Sequence, residues 1–149
     1  VFTEGEIETA VRASISIPGI FTPVPYGNRI LVDGGVVAGV PVAAAADMGM
    51  DLVFAVNVAG ELDTNAPRSV FDILYRTFEI MGKRLDGIQT EKADLVIMPE
   101  VGDVGTVQFY RAEECIEKGE TAAREALPTI KRLLEEYESK KEEQAVFGA

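Results

Sequence analysis

The run Leu52-Val53-Phe54-Ala55-Val56-Asn57-Val58 constrains the fold most, because all but Asn57 are apolar and they do not alternate with polar residues. That is the composition of a central parallel strand covered on both faces. A strand of this kind needs helices packed against it, and helical patterns flank it on either side. Upstream, Pro41 suits the first turn of a helix running to about Met48, and Gly49 ends it. Downstream, beyond a polar loop at Gly60 to Pro67, residues Val70, Leu74, Phe78, Met81, Leu85 and Ile88 recur every three or four positions. Ala93 to Met98 is a second short apolar strand. Strands alternating with helices predict an α/β layered fold.

The remaining segments fit that frame. Thr3 to Ser14 reads as a helix, with Thr3 and Glu6 spaced as a capping box and Ile7, Ala10, Val11 and Ser14 at helical spacing. Ile17 to Pro23 carries two prolines and a glycine and reads as a bent, extended connector. Phe109, Ala112, Ile116, Ala123, Leu127, Ile130, Leu134 and Tyr137 mark one face of a long helical stretch. Pro128 is expected to kink it or begin a second helix. From Glu138 the chain is charged and expected to fray, so residues 138–149 read as a tail. Only three or four strands are visible, and so small a parallel sheet would expose long apolar edges. The expectation is therefore a single partial domain over residues 1–149, with further sheet upstream of this sequence.

Composition narrows the function classes. A chain of 149 residues, 47% apolar and 26% charged, is long enough for a core. A net charge of −11 argues against nucleic-acid binding, which needs basic patches to neutralise phosphates, and gives no help on anionic membranes. The longest weakly polar stretch, Gly34 to Ala46, is too short to span a membrane. There is no histidine, which excludes histidine-based triads and histidine-ligated metals within these residues. The lone Cys115 reads as a packed thiol on a helix stripe, and Glu113, Glu114 and Glu117 as a solvated helical face. A single cysteine and no visible leader give cytoplasm as the expected compartment, with peripheral membrane attachment allowed.

Chemistry concentrates at Ile30-Leu31-Val32-Asp33-Gly34-Gly35. An apolar strand, Arg29 to Asp33, delivers a carboxylate to a glycine turn. Burying a carboxylate is costly without a partner or a task, and two glycines keep side chains away from whatever approaches it. Taken alone, Asp-Gly-Gly is also a common turn. The surrounding order is more specific: Ala13-Ser14-Ile15-Ser16-Ile17-Pro18, then Asp33-Gly34-Gly35, Pro41, the strand at Leu52 to Val58, Asp94-Leu95-Val96-Ile97-Met98-Pro99, and Ile116-Glu117-Lys118-Gly119-Glu120. Over about residues 1 to 135 this resembles the C-terminal half of the patatin-like phospholipase family, of the bacterial type.

The resemblance implies a three-layer α/β/α hydrolase fold, with only the C-terminal part of the sheet and its helices present. It implies acyl transfer on lipid or small carboxylic esters, with Asp33 as the general base and Gly34 and Gly35 as the turn that leaves substrate room to approach. A serine in Gly-x-Ser-x-Gly would be the nucleophile, a glycine-rich loop the oxyanion site, and no metal or organic cofactor would take part. A base of this kind must lie within hydrogen-bond reach of the serine hydroxyl, and burial would raise its pKa toward the working range.

Ser14, Ser16, Ser69 and Ser139 all lie outside such a motif; for Ser14 and Ser16 the expected role is hydrogen bonding to local backbone. The chain alone is thus expected to be inactive, its nucleophile half lying on the same or a separate polypeptide. A non-catalytic module binding a lipid or protein partner is the alternative. Self-association through exposed sheet edges is expected of the isolated chain. Family members often carry an asparagine shortly after the Asp-Gly pair; Ala38 and Gly39 stand there instead, with no side chain to brace the loop. Arg12 reads as a helix-surface cation, and Gly102-Asp103-Val104-Gly105 as a turn that borders an acyl pocket.

Overall fold

A computed structural model describes residues 1–60, 62, 65–102, 104–105 and 108–147, the last three of them for backbone alone. The order is α1 (Ile7–Ser14), β1 (Val24–Tyr26), β2 (Arg29–Leu31), a 3-10 turn at Gly34–Val36, α2 (Val42–Asp47), β3 (Phe54–Val56), α3 (Val70–Thr90), β4 (Leu95–Ile97), a 3-10 turn at Phe109–Arg111, and α4 (Ala112–Phe147). Helices interleave with short strands, so the chain is α/β. The sheets are two-stranded, β1 with β2 and β3 with β4. The chain divides into two compact units, Val1–Ala55 with Glu61–Asp94, and Val56–Gly60 with Leu95–Ala149.

In the first unit, α1 starts later than the sequence predicts. Glu6 is its N-cap, without a side-chain cap hydrogen bond, so the Thr3–Glu6 capping box does not form. β1 and β2 make an antiparallel hairpin that the sequence reading missed, with Val24 opposite Leu31 and Tyr26 opposite Arg29. Gly27 and Asn28 close it. Gly27 has φ +59° while the φ of Asn28 is not positive, the sign pattern of a type II′ turn, which puts glycine first. Helix α2 behaves as its punctuation predicts: Pro41 is the N-cap, Met48 the C-cap, and Gly49 leaves the helix at φ +80°.

Helix α3 begins where Ser69 accepts the Asp72 N–H at 3.0 Å, while Asp72 in turn accepts the Arg68 N–H at 2.8 Å. The first bond satisfies a donor that a helix start otherwise leaves orphaned, and the second ties the residue before the cap to the first turn. The core of this unit is small: Ala13, Val40, Val42 and Ala55 are buried. The apolar stripe of α3 lies outward instead, with Val70, Leu74, Phe78, Met81 and Ile88 exposed, as do Ile7 and Val11 on α1. β3 is likewise not covered on both faces; Ala55 is buried but Val56 is 54% exposed.

In the second unit, Asn57 donates to Ile97 O at 2.9 Å. Helix α4 runs as one element through Pro128 and through the segment predicted to fray, up to Phe147. Its half-buried positions include Cys115, Ala122, Ala126, Leu133 and Tyr137, whereas Ile116, Leu127 and Leu134 are exposed. Ile130 and Tyr137 of the predicted stripe are thus turned inward, while at 116, 123, 127 and 134 the inward position is the preceding residue. At the start of α4, Glu114 pairs with Arg111 at 2.8 Å and with Lys118 at 2.9 Å, and these two cations hold its carboxyl down to about 2. Glu114 belongs to a salt-bridged helical face, as expected from the run of acids around it.

Candidate functional site

Asp33 lies two residues beyond β2, where the strand hands over to the 3-10 turn. Its backbone N–H donates to Ser16 O at 2.9 Å, which ties the strand end to the segment following α1. Its Oδ1 accepts the Gly35 N–H at 2.7 Å. Among the described residues Oδ2 takes no hydrogen bond, so one oxygen is anchored and the other is not. The side chain is half-buried, less enclosed than a buried strand end would make it.

The two glycines differ in what they contribute. Neither has positive φ, so the turn does not demand them for backbone conformation. A Cβ on Gly34 would meet nothing within 4 Å, so that flank is open space. A Cβ on Gly35 would sit 3.0 Å from Asp33 Oδ1, tighter than ordinary van der Waals contact, and would disturb the bond that orients the carboxylate. Asp33, Gly34 and Gly35 therefore lie together as one turn, closed by the hydrogen bond from Gly35 N–H to Asp33 Oδ1.

Ser16 is fully buried at 0% exposure, and its hydroxyl donates to Arg12 O at 2.7 Å. A second carbonyl, Thr22 O, lies 3.4 Å away. The serine acts on local backbone, as expected of it. Ser69 is committed to its helix cap. Behind the Asp33 turn, Val37 and Ala38 donate to Gly34 O at 3.0 and 2.8 Å. Two α3 side chains reach this loop. Gln89 Nε2 donates to Val37 O at 2.7 Å. Asp86 is only 8% exposed and sits over Gly39, where a Cβ would come within 2.4 Å of its Oδ1. Burial pushes its carboxyl up, opposed by a backbone hydrogen bond from Val40. Sequence reasoning missed both residues, and no local motif marks them.

The second unit holds a separate feature, an apolar cavity of about 500 Å³. Val56, Val58, Pro99, Val101, Phe109 and Cys115 are among its lining residues. Val58 and Pro99 follow the carboxyl ends of β3 and β4, where open α/β sheets usually bind ligands. Val104 and Gly105 of the predicted bordering turn line it; Asp103 lies outside the described residues. Cys115 is half-buried in its wall. Among the described residues no helix is long and apolar enough to cross a membrane.

Comparison with known proteins follows the same geometry. Residues 1–46, which contain the hairpin, Asp33 and the braced loop, match the patatin-like phospholipase family. An uncharacterized NTE family protein of Mycobacterium tuberculosis is 28% identical over 152 residues, spanning 85% of this chain and 26% of that protein. A second NTE family protein of that organism is 41% identical over 59 residues, 40% of this chain and 16% of that protein. Lysophospholipase nte1 of Neurospora crassa is 25% identical over 171 residues, covering 93% of this chain and 11% of that protein. The chain spans about a quarter or less of the length of these curated relatives.

Proposed function

We propose that this chain, whose residues 1–46 match the patatin-like phospholipase family, is part of a serine-aspartate lipid acyl hydrolase in which Asp33 is the general base and the nucleophile lies outside these 149 residues. The observation that carries the proposal is the asymmetric carboxylate: Oδ1 fixed by the Gly35 N–H, Oδ2 unpartnered, and open space on the Gly34 flank. A carboxylate so held keeps its second oxygen available at a fixed position, and a general base must sit within hydrogen-bond reach of the proton it takes.

In the proposed reaction, a serine hydroxyl brought onto the Gly34 side gives its proton to Asp33 Oδ2 as its oxygen attacks the ester carbonyl. The tetrahedral intermediate collapses, the C–O bond to the alcohol breaks, and the protonated aspartate returns that proton to the leaving alkoxide. Water then repeats the sequence on the acyl-enzyme, again through Asp33. Lysophospholipid is a fitting substrate class, since one relative carries that activity in its name.

The test is denaturing intact-mass analysis after treatment with a fluorophosphonate serine probe, on parent and Asp33→Asn forms of the complete polypeptide or two-chain assembly. The expected label falls outside the 149 residues, and Asp33→Asn slows both labelling and ester hydrolysis by about a hundredfold or more. A label on Ser14, Ser16, Ser69 or Ser139 would overturn the proposal. Full activity in Asp33→Asn would also overturn it, and would point to a non-catalytic module.

A further inference from the structure

Nothing on the Asp33 turn itself explains why α3 inserts a carboxylate and an amide into the loop behind it. Asp86 Oδ1 is buried without a hydrogen-bond partner, and so is Gln89 Oε1. Native proteins rarely leave such atoms unsatisfied, because each forfeits its hydration for nothing. An apolar pair at these helix positions would avoid that penalty. What the two polar side chains provide is a grip on backbone. Gln89 holds Val37 O through its Nε2, and Asp86 sits beside the Val40 N–H over a glycine that alone leaves room for it.

The grip is passed on to the acid. Val37 and Ala38 both donate to Gly34 O, so a loop held at Val37 and Val40 also holds Gly34. Gly34 is bonded to Asp33, whose carboxylate is oriented by the next residue, Gly35. On the opposite side Ser16 O takes the Asp33 N–H. The turn is therefore clamped from two directions, by the buried Ser16 and by the last turns of α3. The α3 side is the more adjustable of the two, since it acts through side chains.

We propose that Asp86 and Gln89 are positioning residues that fix the direction of the Asp33 carboxylate by clamping the Val37–Val40 loop onto α3. The proposal rests on the reading of Asp33 as the general base. Neither residue touches substrate; both act through Gly34. Loss of the clamp leaves substrate binding intact and misaligns the base, so it lowers kcat and leaves KM unchanged.

The experiment measures kcat and KM for p-nitrophenyl butyrate in the complete polypeptide or assembly, comparing parent, Asp33→Asn, Gln89→Met, Asp86→Ala and Asp86→Asn. Gln89→Met keeps the side-chain length and removes only the donor, so it stays informative if Asp86→Ala does not fold. Expected are a fall in kcat of about tenfold or more for Gln89→Met and Asp86→Ala, KM within about twofold, and recovery of most of kcat in Asp86→Asn, which retains an acceptor for Val40. A kcat within about twofold of parent in Gln89→Met, with Asp33→Asn inactive, overturns the clamp and leaves the base assignment standing. An active Asp33→Asn overturns both.

Discussion

The Asp86 side chain is desolvated by the loop it holds, and its proton equilibrium follows from that contact. Burial raises its carboxyl above the ordinary value of 3.8, against the pull of the Val40 N–H. A folded-state pKa above the unfolded one means that the folded chain keeps a proton the unfolded chain has already released. Stability is therefore fullest below about pH 3.8, falls as pH rises toward the raised pKa, and stays lower beyond it. Asp86→Asn removes this slope. Urea unfolding of the 149-residue chain is expected to show the variant more stable than parent by about 1 kcal/mol at pH 7, and equal to it near the acid end. A variant less stable than parent at pH 7 would mean that Asp86 gains more from Val40 than it loses by burial. At this scale Asp33 was legible because strand, acid and glycine turn are contiguous in sequence. Asp86 and Gln89 were not, because their partners are remote; Gln89 and Val37 lie 52 residues apart. Aspartate beside an apolar helix stripe also looks like any solvent-facing residue until the loop closes over it.

Elements were legible where their ends carry punctuation. Pro41 and Gly49 bracket α2 because proline has no N–H to lose at a helix start and glycine takes positive φ at a helix end. The hairpin was missed although Gly27-Asn28 between Val24-Pro25-Tyr26 and Arg29-Ile30-Leu31 is a two-residue turn signal, because Pro23 and Pro25 masked the short strand. Pro25 is tolerated there, as prolines are on sheet edges. Part of the α4 face lies one residue from the predicted stripe, although Ile130 and Tyr137 fall on it, because Ala, Leu and Ile spread over two neighbouring rows do not fix which row turns inward. Helix α3 offers a direct test of local encoding. Ser69 is its cap, and Ser69→Ala removes the acceptor for the Asp72 N–H. The expected cost is about 1 kcal/mol in chemical denaturation. Ser69→Asp should restore most of it, since a carboxylate accepts the same bond and favours the helix N-terminus. An unchanged Ser69→Ala midpoint would mean that the start of α3 is frayed in solution.

At the scale of the whole molecule, the amphipathic patterns were legible and the direction they face was not. Periodicity locates an apolar stripe; only a partner decides whether it is buried. Ile7 at 81% exposure on α1, the outward stripe of α3, and Phe109 and Ile116 in the second unit are large apolar groups in contact with water. Apolar area costs roughly 25 cal/mol per Å² when exposed rather than buried. Surfaces of this extent mark interaction sites or association-prone faces. The proposed function supplies an occupant for them: the polypeptide that brings the serine would also bring sheet and helix to pack there. The isolated 149-residue chain is therefore expected to bind a hydrophobic fluorescent dye and to sediment above its monomer mass. Co-expression with the serine-bearing polypeptide should abolish both signals together with the appearance of esterase activity. The coupling is the informative part, because dye release without activity would show that the faces are covered by something other than the catalytic half. A monomeric, dye-silent chain would show instead that the helices close on themselves in solution, and would remove the need for any partner to complete the fold.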